Sequence, residues 1–187
     1  SPPKRARTAL VAQLRLPTAE GKERNVDVLH VLYTTGGLRK SSAFTRRVVA
    51  DSIEVSWADG ATFRVMDPFD MLDSRVQNAA GLLDEKGPHV LEQARWAIAV
   101  ARESLRRLAL EKTGGERLGR SLQALYTLAH SRAGRTLLRE HGLDVLEAVD
   151  VAALERLAPG HEPQLRKISA AIDKRRPDIA PRPSRRR

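Results

Sequence analysis

Apolar residues recur with a period of two over the first third of the chain and with a period near 3.6 afterwards. In residues 8–16, Leu10, Ala12, Leu14 and Leu16 alternate with Val11, Gln13 and Arg15, which predicts a strand that Pro17 ends. Residues 26–33 (VDVLHVLY) are apolar except for Asp27 and His30, the pattern of a strand covered on both faces. Gly36-Gly37 breaks it, and a short helix is expected over 41–47. Residues 48–57 and 62–66 then read as a hairpin, with Asp59-Gly60 supplying the turn.

After Met66 the helical period takes over. Asp67 suits an N-cap and Pro68 the first helical position, where no amide donor is needed. Phe69, Leu72, Val76, Ala80 and Leu83 form one apolar stripe, and Gly87-Pro88 ends that helix. A long helix over 89–112 turns Val90, Ala94, Ala97, Ala101, Leu105 and Leu108 inward. Gly114-Gly115 separates it from a helix over 117–130, and shorter helical pieces are expected at 133–140, 143–148, 151–157 and 164–175. Strands first and helices afterwards predict the α+β class, a small mixed sheet of about four strands followed by a C-terminal helical bundle. The expected domains are a sheet module at 1–66, the bundle at 67–176 and a disordered basic tail at 177–187. No repeat of 20–50 residues is visible.

Charge changes this picture less than its total suggests. The chain of 187 residues carries a net charge of +10. Residues 174–187 (KRRPDIAPRPSRRR) hold seven basic residues and one acid, and the opening SPPKRAR holds three basic residues and none. The body between them has 23 basic and 22 acidic residues, so it is close to neutral. Lys174, Arg175, Arg176, Arg185, Arg186 and Arg187 are the candidate nucleic-acid contacts, drawn to phosphate in a salt-sensitive, unspecific way. The alternative is a solvated tail that keeps the protein dispersed and, having no apolar partners, adds little to stability.

Other chemistry is excluded or thin. The chain has no cysteine, so it has no disulfide framework, thiolate metal site or cysteine nucleophile. No run approaches the roughly 18 apolar residues of a membrane span, and no signal-peptide core follows the basic start, so a soluble cytoplasmic protein is expected. The five histidines are scattered without metal-ligand spacing. Neither a Gly-x-Ser-x-Gly elbow nor a phosphate-binding glycine loop occurs. Asp27 is the anomaly. Its strand is apolar on both faces, and a carboxylate there is costly unless it meets solvent, a base or a metal ion. An outward-pointing edge position is the plainer account of it.

Three segments carry a resemblance. They are Arg24-Asn-Val-Asp-Val-Leu-His with Gly36-Gly37-Leu38, the block from Val65 to Asn78 (VMDPFDMLDSRVQN), and His141-Gly-Leu-Asp-Val-Leu-Glu-Ala-Val. Together they resemble the later part of minimal nucleotidyltransferase-like proteins in the broad DNA-polymerase-β-like superfamily, which includes AbiEii-type toxins. Asp67 stands where those proteins commonly have histidine. The resemblance implies that Asp27 is the third carboxylate of a two-Mg²⁺ site, both catalytic and metal-binding. The other two ligands in that family come from an Asp-x-Asp pair after a Gly-Ser helix start, and neither motif precedes Asp27. A lone carboxylate does not assemble a two-metal site. Mg²⁺ is therefore expected only if the missing ligands are supplied, and the chain is read as a fragment or a degenerate relative without transfer activity of its own.

The same block holds Ser74, Arg75 and Asn78, candidates for contacting a phosphate or nucleotide. Alternatively Asp70 accepts first-turn amides and Arg75 pairs with a strand carboxylate such as Glu54. Three functions follow in order: an incomplete nucleotidyltransferase-like domain, a basic nucleic-acid-binding module, or an antitoxin-like partner that uses the bundle to hold another protein. Nucleotide, nucleic acid or protein are the expected partners, and a membrane is not.

Overall fold

The computed structural model describes residues 10–17, 23–29, 31–56, 58, 60–111 and 113–179. The chain divides into two compact units, Ser1–Asp67 and Pro68–Arg187.

In the first unit, β1 (Leu10–Pro17) and β2 (Glu23–Leu29) pair antiparallel, with Gln13 opposite Asp27 and Leu14 opposite Val26. The helix α1 (Leu38–Ala50) follows, and then β3 (Ile53–Ser56) pairs antiparallel with β4 (Thr62–Val65). The expected four-stranded mixed sheet is corrected here: the strands form two separate two-stranded sheets. With eight α-helices among the described residues, the protein is mainly helical and not of the α+β class.

Two local causes account for the difference. Residues 31–33 were expected to complete the second strand, but α1 side chains take the amides of Leu32 and Thr34. Thr45 Oγ1 accepts from Leu32 N at 2.8 Å, and Ser41 Oγ accepts from Thr34 N at 3.1 Å. Val31 and Tyr33 are buried there without any strand partner among the described residues. The second cause is the Val48-Val49-Ala50 run, which reads as the start of a strand by β-propensity. It instead completes α1, because Ser41, Phe44 and Val48 fall on one buried face at helical spacing.

The second unit is all helix: α2 (Pro68–Gly81), α3 (Leu83–Lys86), α4 (His89–Leu110), α5 (Gly115–His130), α6 (Arg132–His141), α7 (Val151–Leu157) and α8 (Glu162–Ile179), with 3₁₀ turns at Val145–Ala148 and Pro159–His161. Every residue expected to line the inner face of α4, from Val90 to Leu108, is buried. Three of those residues are alanines, and their short side chains let α2 lie close along α4 with Leu72, Val76 and Ala79 against it. Leu118, Leu122 and Leu125 of α5 and Leu137 of α6 extend the core, and Leu165 and Ile168 of α8 close it. No helix among the described residues is long and apolar enough to cross a membrane.

The corner between α5 and α6 sets up the site. Ser131 ends α5 in extended backbone, and its Oγ accepts from Gly134 N at 3.1 Å as the N-cap of α6. We expect Ser131→Ala to destabilise the protein by about 1 kcal/mol in urea unfolding, the usual loss for a serine cap. An unchanged midpoint would show that the amide of Gly134 finds water at no cost. At its other end α6 stops at Gly142, in left-handed backbone (φ 66°). Gly142 N reaches Leu138 O, the single 5→1 bond of an αL helix ending, and Leu143 N reaches Leu137 O. That reversal delivers Asp144 into the interior.

Candidate anion-binding cleft

The helices α5, α6 and α8 enclose a cleft of about 460 Å³. Its walls carry Tyr126 and His130 from α5, Arg135 and Arg139 from α6, and Lys167, Lys174 and Arg175 from α8, with Leu138, Ala170 and Ala171 as its apolar floor. Among the described residues no carboxylate lines it. Helical spacing explains how each wall forms. Tyr126 and His130, like Arg135 and Arg139, are one turn apart on a single face. Lys167, Ala171 and Lys174 follow at four and seven residues along α8.

The cations are not equivalent. Arg175 is 8% exposed, and its Nη1 donates to Asp144 Oδ1 at 2.8 Å. Asp144, itself 3% exposed, also accepts from Leu146 N at 3.0 Å, so the carboxylate is fixed by the turn that follows it. Arg135, Arg139, Lys167 and Lys174 have no carboxylate partner among the described residues. The Lys167 ammonium lies 4.1 Å above the Tyr126 ring centroid, a cation–π contact. His130 sits 4.2 Å from the same ring, and its Nδ1 is 2.7 Å from Tyr126 O. A carbonyl only accepts, so Nδ1 carries a proton there and Nε2 remains for other contacts. Asp144 offsets one positive charge from behind, which leaves four uncompensated cations around a recess that water can enter.

The residues singled out from the sequence are distributed as follows. Lys174 and Arg175 lie on α8 and line the cleft; Arg176 continues α8, and Arg185, Arg186 and Arg187 lie outside the described residues. Ser74, Arg75 and Asn78 lie on α2, away from the cleft lining. Asn78 is buried, and Arg75 Nη1 donates to Gln93 Oε1 of α4 at 3.2 Å. Glu54, the carboxylate suggested for Arg75, is exposed on β3 opposite Arg64. Asp27 is paired across the first hairpin with Gln13. Among the described residues no three or more His, Asp or Glu side chains gather where they would hold a metal ion. Sequence reasoning did not pick out Tyr126, His130, Arg135, Arg139 or Lys167. Their i, i+4 pairs were visible, but nothing in the chain says which helix faces meet.

Comparison of the chain with known protein families, curated proteins and solved structures finds no match.

Proposed function

We propose that the helical unit binds nucleic acid through backbone phosphate, and that the α5–α6–α8 cleft is where a phosphate seats. The observation that supports this most is the set of cations from three helices around one recess, with no carboxylate among its described lining residues. Phosphate contacts by lysine and arginine supply most of the unspecific affinity of proteins for nucleic acid, through release of condensed counterions. The basic segment 174–187 adds cations next to the cleft in sequence. The nucleotidyl-transfer reading rests on the sequence resemblance around Asp27 and 65–78, and with Mg²⁺ it stays a second proposal.

The test is fluorescence anisotropy with a labelled single strand over a range of salt. Lys167→Gln, Lys174→Gln and Arg139→Gln together are expected to flatten the logarithmic salt slope by about two, since each phosphate contact on a single strand contributes about 0.7. Affinity should fall in parallel, with an unchanged melting temperature, because all three side chains are exposed. A slope that persists in the triple variant and disappears on removing residues 180–187 would assign the binding to that segment and reject the cleft.

A further inference from the structure

We propose that the cleft takes a phosphomonoester, either the terminal phosphate of a nucleic-acid strand or the phosphate of a free mononucleotide. This rests on the reading of the cleft as a phosphate site and names the chemical form it prefers.

The first support is convergence. Arg135 and Arg139 lie one turn apart on α6, and Lys167 and Lys174 lie two turns apart on α8, about 10 Å along the axis and facing the same recess. A groove that follows a backbone spreads its cations along a track; here they line one recess between three helices. A monoester carries about −1.5 to −2 near neutral pH and offers three acceptor oxygens, whereas an internal diester carries a single charge. None of the described lining residues is a carboxylate, so the added ligand charge interacts favourably with the cations they carry.

The second support is Arg175. Its side chain is 10% exposed, yet among the described residues only one of its donors, Nη1, has a partner. A guanidinium offers five N–H donors in a rigid fork matched to phosphate and carboxylate oxygens. The Asp144 bond holds that fork in place, so it is organised before any ligand arrives. Asp144 is therefore a positioning residue and Arg175 a binding residue. The third support is size. The cleft volume of about 460 Å³ lies in the range of small-molecule sites and exceeds what a lone ion needs. Tyr126 and His130 add an aromatic wall beside the cations.

The experiment is competition anisotropy on the full chain. Unlabelled twelve-nucleotide strands of one sequence would carry a 5′-phosphate, a 3′-phosphate or hydroxyls at both ends, with adenosine monophosphate and adenosine as further competitors. A phosphate at one end should tighten binding about ten-fold over the hydroxyl strand, the scale of one additional charge-assisted contact. In Lys167→Gln/Lys174→Gln that preference should fall to about two-fold or less as the surrounding charge is removed. Both residues are exposed, so a thermal melt matching the parent confirms that folding is intact. Displacement by the mononucleotide at the same concentration as the phosphorylated strand identifies a free nucleotide, and displacement by the strand alone identifies a strand end; either upholds the proposal. Equal affinity for phosphorylated and hydroxyl strands, still lowered by the two substitutions, overturns it and leaves the nucleic-acid reading standing. Binding indifferent to both substitutions overturns both.

Discussion

Replacing Asp144 with alanine is expected to cost the helical unit about 3–5 kcal/mol. The side chains of Asp144 and Arg175 are 4% and 10% exposed and meet at 2.8 Å. Removing the carboxylate leaves a guanidinium held near the interior without its counter-charge, and it also removes the acceptor for Leu146 N. Because Arg175 borders the cleft, water reaches part of it, which favours the lower end of that range. The pair itself is not a large net source of stability: exchanging both partners for apolar residues of similar volume is often neutral. Urea unfolding of Asp144→Ala, Arg175→Met and Asp144→Leu/Arg175→Met distinguishes these contributions. The double variant should recover much of the loss in the first. If Asp144→Ala shifts stability by less than about 1 kcal/mol, the pair behaves like an exposed ion pair and the burial argument is wrong.

Gly134→Ala should be comparably damaging for a different reason. Gly134 is buried in the first turn of α6, where the helix passes the end of α5. A Cβ there would overlap the carbonyl oxygen of Leu128 and lie 2.8 Å from that of Ala129. Both obstacles are backbone, so no side-chain rotation relieves them. Overpacking usually costs about 1–3 kcal/mol, and the upper end applies where the helix corner itself has to open. Ordinarily alanine is favoured over glycine inside a helix by up to about 1 kcal/mol, so the sign of the effect is informative. A measured stabilisation would show that α5 and α6 are less tightly apposed than described. The same variant should weaken phosphate binding, since Arg135 and Arg139 move with α6.

How far the sequence revealed this arrangement depended on how local each cause was. The inner face of α4 was fully legible, because one stripe of apolar residues determines one buried face. The start of α2 at Pro68 was legible from Pro68 itself. The extent of α1 was not: Val48-Val49 favours a strand in isolation, and only burial of Phe44 and Val48 on one face makes it helix. Likewise Tyr33 looks like the end of a strand until Ser41 and Thr45 are seen taking the neighbouring amides. The least legible residue was Arg175. In Lys-Arg-Arg-Pro it reads as part of a solvated tail whose removal at Asp173 leaves the fold untouched. Its partner lies 31 residues earlier, and the pair makes truncation at that point equivalent to stranding the Asp144 carboxylate. The cleft shows the same limit. Each pair of its cations is a sequence feature, and their convergence is a property of packing.

Closure of the core by α8 also bears on how the protein is made. Leu165 and Ile168 are almost wholly buried and come from the last helix described, and the partner of Asp144 comes later still on the same helix. Domains fold on the ribosome as units while synthesis continues. A nascent chain that has released α2 to α7 but not α8 therefore presents leucines from α5 and α6 to solvent, together with an uncompensated carboxylate. The unit cannot settle one helix at a time. It has to wait for α8, and in that interval its apolar face is open to chaperones and to other unfinished chains.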